Sequence, residues 1–301
     1  NLNDRMTIQG NNYANDALLG SVAGASSVTV LPDDGGIYKY TGAFGRIGYI
    51  WDQKYIASLT GRRDGSSNFG PGRKFGNFGA VGLGWIFSEE QPVKTLLPFM
   101  SFGKISGSYG TSGTDAVGPY QYQTFWEADF DGTFQGTRAY HPANLYNPDY
   151  SWELKKTLNA SIDLGFFGDR LMLNTTWYRS RTGNQLINAN IPIQTGLASV
   201  TENSPATIQN RGLEFTLSTT NIATSTFKWT TTFNISQNHN KLLKFPDLAT
   251  STYAGTYEVG KPVTSFLFYR YKGGNPETGI FEFYTKTGEA TSRPTLADKE
   301  L

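Results

Sequence analysis

Apolar residues recur at every second position over stretches of about ten residues. Across 227–236, Phe227, Trp229, Phe233 and Ile235 share one face, and Lys228, Thr230, Thr232, Asn234 and Ser236 share the other. Across 157–166, Leu158, Ala160, Ile162, Leu164 and Phe166 oppose Thr157, Asn159, Ser161, Asp163 and Gly165. A period of two places alternate side chains on opposite faces of a β-strand. One apolar face backed by one hydrophilic face suits a sheet with lipid on one side and water on the other, as in a transmembrane β-barrel.

Composition agrees with an all-β membrane wall. Charged residues are 17% of the chain, below the roughly 25% of an average soluble protein. Aromatic residues reach 14%, with 34 glycines. No apolar run approaches the 18 or so residues of a spanning helix. A barrel hides its hydrophobicity in alternate positions, so a polar average is compatible with it. A net charge of +1 speaks against nucleic acid as a partner, which calls for a basic face. With no cysteine there are neither disulfides nor thiolate metal sites. The chain opens at Asn1 without an initiator Met, a basic n-region or an apolar stretch, and it closes on polar residues 295–301. We therefore expect residues 1–301 to be part of a transmembrane barrel domain within a longer polypeptide, with the plug domain and the final strands lying elsewhere.

The pattern predicts eight or nine spanning strands in an antiparallel meander: 40–51, 54–63, 75–87, 99–109, 157–166, 170–180, 206–218 and 227–238, with 264–272 and 280–285 as further candidates. Connections 51–54, 88–98, 167–170 and 219–226 are short; 64–74, 111–152, 181–205 and 239–263 are long. Short turns on one rim and long loops on the other are the asymmetry of outer-membrane barrels, and place the long loops outside the cell. Trp51, Tyr55, Trp85, Phe87, Phe166 and Phe167 fall near the short-turn rim, and Tyr109, Trp177 and Tyr178 toward the other, as two interfacial girdles. Small residues such as Gly82, Gly84, Ser106 and Ser161 on the hydrophilic face cannot fill a narrow barrel, so we expect a wide one, seen here as an incomplete, unclosed wall.

Ligand-binding candidates lie in the loops. Asp64, Ser66 and Ser67 open a turn-rich segment continuing through Gly70-Pro71-Gly72, where Asp and Ser side chains cap backbone amides. Loop 111–152 is far longer than ordinary connections and is crowded with rings, among them Tyr120, Tyr122 and Trp126, that can stack on a ligand or on one another. Glu127, Asp129 and Asp131 alternate like a fragment of a calcium loop but lack its remaining ligands. His141 and His239 read as ordinary loop residues. No metal, cofactor or catalytic constellation is expected. Asn159-Ala160-Ser161 and Asn234-Ile235-Ser236 match the N-glycosylation pattern but lie inside strands, so we read no modification there.

Several segments, in order, resemble the SusC/RagA family of TonB-linked outer-membrane transporters of Bacteroidetes. They are Arg63-Asp64-Gly65-Ser66-Ser67 with Phe69-Gly70, then Phe78, Gly84-Trp85 and Ser88-Glu89; Ser108-Tyr109-Gly110 with Gly113 and Gly118-Pro119-Tyr120; Asn147-Pro148 and Trp152-Glu153; Asn210-Arg211-Gly212-Leu213-Glu214; Gly260-Lys261-Pro262; and Pro276-Glu277-Thr278-Gly279. Gly79-Ala80 and Gly273-Gly274-Asn275 depart from that family's usual residues. The resemblance covers 63–279 and implies a barrel of about 22 strands. It further implies TonB-dependent import of a glycan or peptide ligand, a SusD-like surface lipoprotein as lid, TonB acting through a plug, and outer-membrane lipid around the wall. Two other readings are an extracellular carbohydrate-binding sandwich and a structural barrel of a larger assembly. The first predicts the apolar faces buried against a second sheet.

Overall fold

The computed structural model describes residues 2–3, 6–30, 36–135 and 137–300. Eight long strands form one sheet: β1 Tyr40–Trp51, β2 Tyr55–Ser66, β3 Phe75–Trp85, β4 Met100–Thr114, β5 Glu153–Phe166, β6 Leu171–Gly183, β7 Thr207–Ala223 and β8 Lys228–Lys244. Each pairs antiparallel with its neighbours in strict chain order. β1 and β8 each have one partner and are not paired with each other. The wall is unclosed, as the small residues of its polar face led us to expect.

A meander of this kind sends connections alternately to two rims. Residues 52–54, 86–99, 167–170 and 224–227 lie on one; 67–74, 115–152, 184–206 and the segment after 244 leave from the other. The tightest turns use left-handed residues: Asp52 (φ 49°) and Gln53 (φ 55°), then Phe167 (φ 58°), Gly168 (φ 64°) and Asp169 (φ 61°). At Asp52-Gln53, closed by the Lys54 N–H on the Trp51 carbonyl at 3.0 Å, two consecutive positive φ values match the right-handed twist of the strands they join. Side chains lock this rim. Ser101 Oγ donates to Asp169 Oδ1 at 2.6 Å, and Glu90 receives the Tyr55 hydroxyl at 2.8 Å and the Trp85 indole at 3.3 Å. Lys54 Nζ stands 2.9 Å from Asp52 and 3.4 Å from Glu90. Trp51, Tyr55, Trp85 and Phe87 form a run of ring contacts 5.3–6.5 Å apart, and Phe99 stacks on Phe166 and Phe167 at 6.0 Å. The girdle expected at this rim is present.

Register fixes the faces. The row Trp85, Ile105, Ile162, Thr175, Phe215 and Ile235 runs straight across β3–β8, and Gly103, Leu164, Leu173, Leu217 and Phe233 form the next. On the opposite face Lys104, Asp163, Asn174, Thr216 and Asn234 are in register. Ile47, Leu83 and Ile235 are 70%, 64% and 59% exposed, so among the described residues no second sheet covers the apolar face, contrary to a sandwich. Buried side chains concentrate at the loop rim instead: Phe69, Tyr150, Asn68, Ser66, Asn144 and Leu242.

Several expectations need correction. The wall has eight strands: 264–272 and 280–285 form only short pairings, Phe268–Tyr269 with Lys299–Glu300 and Tyr271–Gly274 with Phe281–Tyr284. The spanning strands run further toward the long loops than hydropathy marks, because backbone pairing continues past the apolar band; β7 and β8 are 17 residues each. At about 3.3 Å per residue that is roughly 55 Å, whereas about 9–11 tilted residues cross the hydrocarbon. Tyr178 belongs to the polar face, where its ring covers Gly212. His239 lies in β8, and His141 in a loop hairpin, Phe125–Phe134 with Thr137–Asn144. β1 mixes its faces: Phe44 and Ile50 stand on the polar side.

Candidate functional site

The polar face is laid with short hydroxyl and amide groups bonded across strands. Ser106 and Ser161 hydroxyls are 2.8 Å apart, Asn159 donates to Ser108 at 3.3 Å, Asn240 to Asn210 at 2.8 Å, and Asn174 to Asp163. These bonds hold the side chains flat along the wall. Beside them Gly82, Gly84 and Ser58 leave a shallow groove of about 200 Å³ with Lys104 at its edge. Short hydroxyl and amide groups dominate this surface, with Ile56 at the groove, which suits the lining of an aqueous passage.

Where this face meets the long loops, Arg62 donates to Asp64 at 2.5 Å and to the Tyr40 hydroxyl at 2.6 Å. Asp64 is buried while Arg62 is half exposed, beside a groove of about 290 Å³ that includes Thr60, Phe78 and Ser112. The carboxylate and the Tyr40 hydroxyl together fix the guanidinium on the polar face. Arg63 has the opposite parity and lies 4.9 Å over the Phe75 ring on the outer face. Sequence reading singled out Asp64 and passed over Arg62; strand parity alone separates the two arginines.

The other loop candidates are drawn into one body. Ser66 Oγ accepts from Asn68 N at 3.2 Å, and Ser67 Oγ from Lys39 N at 2.8 Å. Asn68 reaches across to the Asp115 and Val117 carbonyls at 3.1 and 2.7 Å. Tyr38 donates to Asp115 at 2.9 Å; burial, then this carboxylate, pushes the phenol up to about 12. Phe69 packs on Tyr150 and Trp152 at 6.1 and 5.2 Å, and Trp152 on Phe78 at 5.6 Å. The Tyr122 ring sits against Gly70, whose absent Cβ would come within 3.0 Å of it. Tyr120 takes a left-handed conformation (φ 62°). Trp126 is 61% exposed on the loop hairpin, on the same face as exposed Tyr140. Loop 115–152 thus turns Tyr122 inward and Trp126 outward.

A third region went unread in the sequence. The segment after β8 lays Phe245, Tyr253 and Tyr257 in a ladder, with rings 5.9 and 5.8 Å apart. The ladder borders a pocket of about 350 Å³ that Gln185, Asn188, Ile208 and Leu242 also line. Burial raises the Tyr253 phenol, with the Glu202 carboxylate adding to it. Rings beside amides are the groups that grip a sugar face or a peptide. The available signal was the aromatic spacing 245, 253, 257 inside a polar loop. Among the described residues no three His, Asp or Glu side chains gather as a metal site; the side chains of Asp129 and Asp131 lie outside the described residues.

An antiparallel wall with an exposed apolar outer face, a polar inner face and pockets at its loop rim defines a membrane β-barrel. The chain matches the family described as TonB dependent receptor-like, beta-barrel over residues 2–293, and it belongs to that family, whose barrels are outer-membrane proteins and whose members are receptors and transporters, not enzymes. It is 32% identical over 250 residues to TonB-dependent receptor P39 of Formosa agariphila, covering 83% of this chain and 23% of that protein. To TonB-dependent receptor SusC of Bacteroides thetaiotaomicron it is 27% identical over 264 residues, covering 79% and 26%. The RagAB peptide transporter structure superimposes with a TM-score of 0.76 at 23% identity, over 92% of this chain and 31% of that one. The barrel is of the SusC/RagA kind, and the chain spans about a quarter of the curated relatives it matches.

Proposed function

We propose that residues 1–301 supply part of the wall and vestibule of a transporter that imports a bulky nutrient, an oligosaccharide or a peptide, across the outer membrane. In this reading the long-loop rim faces outward, a SusD-like lipoprotein closes over it, and TonB acts through a plug elsewhere in the polypeptide. The observation that carries it is the ring ladder Phe245, Tyr253 and Tyr257 beside the Asn188 and Gln185 amides, at the mouth of a hydrated inner face. Arg62, held by Asp64, meets the ligand below that mouth. Trp126 and Tyr120 contribute rings from the long loop, while Ser66, Ser67 and Tyr122 act by holding the vestibule in shape.

The test is calorimetric titration of the full-length receptor with a pool of neutral oligosaccharides and, separately, a pool of mixed peptides. One pool should bind, and Tyr253→Ala should weaken it. An aromatic contact contributes about 0.5–1.5 kcal/mol, or roughly a two- to tenfold loss of affinity per ring. Binding of neither pool, or binding unchanged by Tyr253→Ala with Tyr257→Ala, refutes the reading.

A further inference from the structure

On the outward face of β5–β8, the apolar run gives way to cations toward the long-loop rim. Two residues beyond Leu158 stands Lys156; beyond Trp177, Arg179; beyond Leu213, Arg211. Register sets these charges directly against one another. Lys156 is opposite Arg181, and Arg179 is opposite Arg211, which is opposite His239. Like charges directly opposed across an antiparallel pair are unfavourable. No Asp or Glu occupies an outward position on these four strands: Glu153, Asp163 and Glu214 all have the inward parity. None of Lys156, Arg179, Arg181, Arg211 and Lys241 forms an ion pair among the described residues, and Arg181 spends its Nε–H on Gln209 at 3.0 Å.

The same face carries a built depression. In the next row toward the rim, Leu154, Gly183, Thr207 and Lys244 are in register. Small Gly183 and Thr207 form the floor of an open groove of about 650 Å³, walled by Lys156, Arg181 and Lys244, with Leu154 and Leu243 at its sides. Three cations around a concavity, with apolar surface continuing below it, match an anionic head joined to acyl chains. Basic pockets on a membrane wall take phosphate-bearing lipid heads for this reason, and arginine suits phosphate through its paired donors.

We propose that this groove is a site for a lipid whose head carries an unesterified phosphate, in the leaflet on the long-loop side. It rests on the lipid-facing assignment of the apolar face and is independent of what the vestibule imports. The missing counter-charge on the outward face is then the lipid phosphate itself.

The full-length receptor is placed in phosphatidylcholine nanodiscs doped with either phosphatidic acid or the diacylglycerol of the same chains, and retained lipid is counted by native mass spectrometry. Phosphatidic acid should be retained severalfold over diacylglycerol. The triple variant Lys156→Gln, Arg181→Gln, Lys244→Gln should remove that preference, and Lys155→Gln, one residue away on the inward face, should keep it. Excess inorganic phosphate should displace little; full displacement, or a phosphate adduct on lipid-free protein, means a free-anion site and overturns the proposal. So does insertion with no preference for the phosphate form, or a preference surviving the triple change, while the transport reading stands. Failure to enter the discs overturns both.

Discussion

Arg placed at Ile162 and at Asp163 puts the same side chain on adjacent residues of β5 and on opposite faces of the wall. Ile162 lies four residues from Leu158 and four from Phe166, the ends of the outward apolar run, with Ile105 and Thr175 directly opposite it. At about 3.3 Å per residue and the usual 35–45° tilt, each end is roughly 10 Å away along the membrane normal, which puts Ile162 near the midplane of a band about 25 Å tall. Arg on the lipid face at that depth costs about 2–4 kcal/mol. Asp163 accepts from Asn174 and faces Lys104 across β4. Arg there loses that bond and sets two cations opposite each other in a wet passage, where the cost is about 1 kcal/mol. The two variants therefore differ by about 1–3 kcal/mol, or roughly 5- to 140-fold in folding equilibrium at about 1.4 kcal/mol per decade. Refolding into phosphatidylcholine bilayers, followed by tryptophan fluorescence across a urea series, gives both midpoints; unchanged slopes make them comparable. Ile162→Leu and Asp163→Asn control for packing and for charge. Equal losses, or a larger loss at Asp163, would falsify the assignment of the apolar face to lipid.

Four further outcomes are expected. Gly212→Ala should cost about 1–3 kcal/mol, because a Cβ there would stand 2.6 Å from the Gln237 carbonyl and 2.7 Å from the Tyr178 ring; amide exchange should quicken along β8. Phe69→Ala removes a fully buried ring and should destabilise the loop body by about 3–5 kcal/mol, read as faster proteolysis within 115–152 with the wall strands intact. Glu90 has its pKa lowered first by the Tyr55 hydroxyl, then by the Trp85 indole, so its contribution is complete above the ordinary value of 4.5 and fades as pH falls through the folded value. The melting temperature of the wild type should therefore drop more than that of Glu90→Gln in acid below about 4.5. The Tyr38 phenol, raised to about 12, should ionise late in an ultraviolet titration, and the stability it confers should begin to fall near 10 and go on falling until about 12; Tyr38→Phe should lower the amplitude of the late step by one tyrosine.

The wall was legible because a strand with lipid on one side and water on the other must alternate, and a one-residue slip would turn Ile162 to water and Asp163 to lipid. The same constraint made the rims readable: β-pairs joined by 52–54 and 167–170 leave room for little more than left-handed residues. It fails where its cause is absent. Strand ends such as 239–244 project beyond the hydrocarbon, so His239 and Lys241 break the alternation of apolarity while backbone pairing continues. Short strands such as Phe281–Tyr284 alternate too, but alternation over four residues does not distinguish a spanning strand from a ribbon in a loop.

The loop body was illegible for a different reason. Its form depends on bonds between residues far apart in sequence: Asn68 to Val117, Trp152 to the Lys74 carbonyl at 3.1 Å, Asn203 to the Ser151 carbonyl at 2.9 Å. None of these leaves a local period, and each uses a side chain that elsewhere would be an ordinary turn residue. The same bonds explain why Tyr122 and Trp126, four residues apart in one aromatic-rich loop, have opposite fates. Tyr122 lies against the segment that Ser66 and Asn68 have fixed, whereas Trp126 stands on a hairpin beyond its reach. A regular wall carrying a loop body held by its own distant contacts lets ring positions at the mouth change while the Ile162 and Asp163 parity below stays fixed. The Tyr253 hydroxyl, which donates to the Asn188 carbonyl at 3.5 Å, belongs to that distant-contact set, whereas the row of hydroxyls on the wall follows from strand parity alone.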